Sequence, residues 1–100
     1  MAVTAPLPAG SETGVIRVNY WAAARAAAGV AHDDLPAGAP MTLAEVLAAA
    51  VALHPGTRLP DVVGVCSVLV GEQPVGTEDP GAVVVEPGDV VELLPPFAGG

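Results

Sequence analysis

The sequence predicts a mixed α+β domain, and three observations carry that expectation. Two strand-like segments, Val15 to Trp21 and Val90 to Leu94, stand near opposite ends of the chain. A strongly signalled amphipathic helix at residues 41–54 lies between them, and further valine-rich segments follow it. One hundred residues suit a single domain that buries roughly 60–70% of its unfolded surface. Hydrophobic residues make up 52% of the chain, but only Tyr20, Trp21 and Phe97 are aromatic. The core must therefore be built from Val, Leu and Ala.

In chain order, residues 1–14 are rich in Ala, Pro, Gly, Ser and Thr and read as a flexible leader. From Val15 to Trp21, Ile16, Val18 and Tyr20 alternate with Arg17 and Asn19, the two-residue period of a half-buried strand. Ala22 to Ala28, closed by Gly29, predicts a helix of two turns, since alanine favours helix and glycine ends it. Val30 to Leu35 predicts a short strand, and residues 36–40 a loop. Next, Thr42 and Glu45 have the spacing of a capping box, in which each side chain satisfies the other's free backbone N–H. Met41 and Val46 fit a hydrophobic staple across that cap. Leu43, Val46, Leu47, Ala50 and Leu53 then form one stripe, ended by Pro55-Gly56.

Such a stripe needs a sheet to cover. Val62 to Val70 reads as a valine-rich strand segment, turned by residues 71–74 into a short strand near Val75. Thr77 to Gly81 reads as loop and Val83 to Val85 as a brief extended piece. Pro87-Gly88-Asp89 is a turn into the terminal strand, Val90 to Leu94. One main helix crossing a mixed four- to five-stranded sheet closes most simply as a β-grasp, with the first and last strands side by side at the centre. The domain expected is therefore 15–100.

Composition excludes some partners. Eleven acidic residues face three arginines, a net charge of −8. Nucleic acid and anionic membranes both need a basic footprint, so neither is expected as a partner. A basic protein surface suits this charge. The single cysteine, Cys66, has no intrachain disulfide partner, which fits a reducing compartment. Residues 1–14 carry no positive charge and no long apolar run, so they do not read as a signal peptide; no stretch approaches ~20 apolar residues, and a cytoplasmic location is expected.

The most specific stretch is the last, Pro87 to Gly100, reading P-G-D-V-V-E-L-L-P-P-F-A-G-G. Pro95-Pro96 ends the strand, because proline has no ladder N–H. Phe97-Ala98-Gly99-Gly100 follows as a thin tail, able to enter a narrow channel and present its carboxylate. With the strand at Val15, the Ala/Arg segment and the capped helix, this run resembles the MoaD/ThiS family of ubiquitin-like sulfur carriers. Within that family it is most similar to the molybdopterin synthase small subunits.

The resemblance implies a β-grasp (ubiquitin-like) fold and a chemistry at Gly100. A ubiquitin-activating-type enzyme uses ATP to adenylate the terminal carboxylate, and a sulfur donor converts it to a thiocarboxylate. The large subunit of molybdopterin synthase then binds the tail, with Pro95, Pro96, Phe97, Ala98 and Gly99 as partner-binding residues. Thiamine, cysteine and other sulfurated-metabolite pathways stay open. So do a ubiquitin-like interaction module with an inert tail and a modifier that forms amide bonds through Gly100. No bound cofactor or metal is expected, and no catalysis by the chain alone. Cys66 and His54 read as structural, neither His32 nor His54 has a neighbour at ligand spacing, Asp33-Asp34 and Glu78-Asp79 read as solvated turn charges, and Asp89 as support for its turn. Phe97 reads as an aromatic anchor for a partner groove.

Overall fold

The computed structural model describes residues 14–96. Seven strands and three α-helices follow in the order β1 (Val15–Tyr20), α1 (Ala22–Ala28), β2 (His32–Pro36), β3 (Met41–Thr42), α2 (Leu43–Ala52), α3 (Leu59–Val63), β4 (Ser67–Val70), β5 (Gln73–Pro74), β6 (Val84–Val85) and β7 (Val90–Leu94). The main sheet has five strands in the order β2-β1-β7-β4-β5, and β3 pairs with β6 in a small second sheet. As expected, the first and last strands are neighbours. β1 and β7 run parallel, with Val18 opposite Val91 and Tyr20 opposite Leu93.

The two-residue alternation of β1 places Ile16, Val18 and Tyr20 on the inner face, where each is at most 1% exposed. Val91 and Leu93 of β7 join them. Over this layer lies α2, whose Leu43, Val46 and Ala50 are wholly buried. The capping box is formed: Glu45 N–H donates to Thr42 Oγ1 at 3.1 Å and Thr42 N–H to Glu45 Oε1 at 2.9 Å. A cap of this kind contributes about 1 kcal/mol, and it fixes where the stripe starts. Gly29 closes α1 at φ 80, a left-handed conformation that side chains resist.

Several element boundaries differ from the sequence reading. β1 stops at Tyr20, and Trp21 becomes the N-cap residue of α1. β2 starts at His32 rather than Val30. The extended segment expected near Val75 is Gln73–Pro74, following a turn that holds Gly71 at φ 62. Leu53 leaves the apolar stripe: α2 ends at Ala52, and Leu53 is 51% exposed. The largest difference lies in Val62 to Val70. Its first part belongs to α3, started by Pro60 in the first turn and ended at Gly64, and only Ser67–Val70 is strand. The domain thus has two short helices beside the main one. Among the described residues no helix is long and apolar enough to cross a membrane.

Candidate functional site

The contacts that lead up to Pro95 and Pro96 converge on β7. It is hydrogen-bonded on both sides, to parallel β1 and to antiparallel β4, with Ser67 opposite Leu94. Asp89 supports the turn before it, as expected: its Oδ2 accepts from Glu86 N–H at 2.9 Å. Gly88, at φ 96, donates its N–H to the Val15 carbonyl at 2.8 Å. At the far end Trp21 N–H donates to the Leu93 carbonyl at 3.1 Å. Pro95 and Pro96 then leave the sheet. A central strand held from both edges is rigid, and its pairing stops where the prolines, which lack a ladder N–H, begin.

One side-chain cluster secures this exit. Glu92 Oε1 accepts from the Trp21 indole Nε1–H at 2.7 Å, and both Glu92 oxygens lie 3.3 Å from Asn19 Nδ2. Glu92 and Asn19 are opposite one another in the parallel ladder. The only polar residue of β7 therefore fixes the tryptophan beside the root of the tail. Beneath that indole a groove of ≈ 280 Å³ is lined by Trp21, residues 22–24, Arg58, Asp61, Val62, Val65, Cys66 and the two prolines. Its walls are largely apolar, and Trp21 and Val65 remain 47% and 62% exposed.

Of the expected site residues, Pro95 and Pro96 thus line this groove. Phe97, Ala98, Gly99 and Gly100 lie outside the described residues. The sequence reading missed Trp21, Asn19 and Glu92. The one available signal was a lone acidic residue within an apolar strand.

The other candidates have structural surroundings. Cys66 is half-buried on the groove wall, and burial pushes its thiol up from its ordinary pKa, which keeps it protonated and weakly nucleophilic. His54 is not isolated, because Asp33 Oδ2 lies 2.6 Å from its Nε2 and also accepts the Tyr20 hydroxyl at 2.8 Å. Tyr20 and His54 meet edge to face at 5.8 Å. Burial first, and then the Asp33 carboxylate, raise the Tyr20 hydroxyl well above its usual range. Asp33 is accordingly a tie between β2 and the end of α2 rather than a solvated turn charge.

Asp34 pairs with Arg17 at 2.8 Å across β1 and β2, and the guanidinium holds its carboxyl below the ordinary carboxylate range. Asp79 accepts from Gly81 N–H at 2.9 Å, as a turn residue does. Among the described residues no group of three His, Cys, Asp or Glu side chains is placed to hold a metal ion. What the arrangement provides is a central strand that ends in two prolines beside an apolar groove.

Comparison with known proteins agrees with that geometry. The ThiS family model matches residues 18–100, from the second half of β1 to the final glycine. The chain belongs to the ThiS family. It is 29% identical over 90 residues to a molybdopterin synthase sulfur carrier subunit of Aspergillus niger, a match covering 90% of this chain and 99% of that one. Its fold is the ubiquitin-like β-grasp, a mixed five-stranded sheet crossed by α2. SAMP1 from Haloferax volcanii superposes with a TM-score of 0.68 at 23% identity, covering 87% of this chain and 100% of that chain. A chain from a structure of the protein-protein complex of subunit 1 and 2 of molybdopterin-converting factor from Helicobacter pylori gives a TM-score of 0.57 at 23% identity, covering 86% of this ThiS-family chain and 99% of that chain.

Proposed function

We propose that this ThiS-family chain is a sulfur carrier, with the carboxylate of Gly100 as its reactive group, serving molybdopterin synthesis. The observation that supports it best is the mount: β7, at the sheet centre and clamped by Glu92, leads through two prolines directly into Phe97-Ala98-Gly99-Gly100. The family match extends through that tail, and the Aspergillus niger relative is a sulfur carrier subunit of molybdopterin synthase.

A carboxylate is a poor electrophile. An activating enzyme of the ubiquitin-activating type supplies ATP: the Gly100 oxygen attacks its α-phosphorus and pyrophosphate leaves. A sulfide-level donor then attacks the acyl carbon, AMP leaves with the C–O bond, and a thiocarboxylate remains. Its sulfur is the nucleophile delivered to a pyranopterin precursor in the large subunit of the synthase. This chain's own residues do the positioning, which converts a bimolecular encounter into an oriented one. It needs no bound cofactor for that task.

Adding one residue after Gly100 tests the reading. Sulfur transfer to the acceptor should be lost while the fold stays intact, whereas an undiminished transfer would overturn it. A second reading, protein modification, is favoured by the likeness to a structure titled small archaeal modifier protein 1. Amide conjugates of this chain on other proteins, dependent on Gly100, would support that reading instead.

A further inference from the structure

We propose that the groove beside β7 is the resting seat of Phe97: in the free protein the aromatic ring of the tail packs beneath Trp21, and a partner must lift it out to receive the tail. This deepens the carrier reading and rests on it for its meaning, since it assigns a parked state to the chain end.

Position comes first. Pro96 lines the groove, and Phe97 is the next residue. A residue spans at most ~3.6 Å, so Phe97 is tethered within one residue's length of a residue that lines the groove. Chemistry comes second. Trp21, Val62, Val65 and Cys66 form apolar walls around a space of ≈ 280 Å³. An aromatic side chain buries roughly 150–250 Å² and gains further from meeting another ring at an angle. Phe97 is the one phenylalanine in the sequence, so no other residue of this type could fill the role. Exposure comes third: Trp21 and Val65, at 47% and 62%, are the exposed apolar surfaces that a ring there would cover.

Arg58 and Asp61, both exposed, carry opposite charges at the groove and leave it without a strong net field. The tail from residue 97 to 100 has no charged side chain to be repelled or captured by either. An apolar seat is therefore matched to an apolar segment.

The groove carries its own two reporters, because Trp21 is the sole tryptophan and Cys66 the sole cysteine. The experiment compares the full chain with a version ending at Pro96, with Phe97→Ala and with Phe97→Leu. It measures acrylamide quenching of Trp21 and the rate of Cys66 reaction with a thiol reagent, with circular dichroism confirming the fold. Truncation and Phe97→Ala should both raise quenching and speed the thiol reaction severalfold, because access governs each. Phe97→Leu should fall between them and the full chain, and all values should be independent of protein concentration.

Equal quenching and equal thiol rates in all four proteins would overturn the seat. Protection that disappears on dilution would also overturn it, by making a second copy the occupant. Protection that arises only when a partner is added would assign the groove to a partner side chain and overturn it as well. None of these readouts involves sulfur chemistry, so a failure of the carrier assignment would be seen separately, in the fate of Gly100.

Discussion

Replacing Glu92 with alanine should loosen the mount of the tail, and its cost can be worked out from the geometry. The substitution removes one short charge-assisted hydrogen bond, 2.7 Å from the Trp21 indole, and two long ones, 3.3 Å from Asn19. Hydrogen bonds to charged groups contribute about 1.5–3 kcal/mol. Two effects reduce that figure. Trp21 is 47% exposed, so its freed N–H can turn to water. The net charge also falls from −8 to −7, which relieves self-repulsion in an acidic chain. A net loss of about 1 kcal/mol remains, which for a domain of this size corresponds to a Tm lower by roughly 4–8 °C.

Urea and thermal unfolding followed by circular dichroism would measure this without relying on the perturbed tryptophan. Glu92→Gln keeps an acceptor while removing the charge, so it should lose less than half as much. A Glu92→Ala protein as stable as the parent, in both low and high salt, would refute the clamp.

Three further outcomes are expected. Gly29→Ala should destabilise by about 1–2 kcal/mol, the cost of a side chain in left-handed backbone, since Gly29 sits at φ 80 with open space where the Cβ would stand; an unchanged Tm would contradict it. Stability should fall as pH rises past the ordinary values of Cys66 and Tyr20, 9.0 and 10.0, because burial raises both in the folded state. The stabilisation is complete below those values and is lost as pH climbs through the raised ones. Tyr20→Phe should flatten that alkaline slope, and an unaltered slope in pH-dependent unfolding would exclude Tyr20 as its source. Binding to a basic partner surface should weaken as salt rises, because exposed charges are screened beyond roughly 8–10 Å; salt-independent affinity in a titration would leave the acidic surface a solubility role.

The parts of the fold legible in the sequence are those fixed by local chemistry. Alternation set the inner face of β1, and the Thr42–Glu45 spacing set the start of α2. Pro87-Gly88-Asp89 marked the entry to β7, and Pro95-Pro96 its end. α3 escaped because Val62 and Val63, which favour strands, form its second half, while its start signals, Pro60 and Asp61, occupy one short turn. The contacts around the site were not legible at all. Glu92 reaches Trp21 across 71 residues, and Asp33 reaches His54 across 21, so only the folded sheet brings them together. The direct passage from β1 into α1 was legible, but the backbone that makes it was not, since Ala22 takes φ 49, a conformation no alanine-rich segment suggests.

The measurement that bears most directly on the central claim is the intact mass of the full chain after incubation with ATP, a sulfur source and the cognate activating enzyme. A mass shift matching exchange of one oxygen for sulfur, mapped by fragmentation to Gly100, is the predicted result. An unchanged mass, with a control carrier converted in the same reaction, would contradict sulfur carriage.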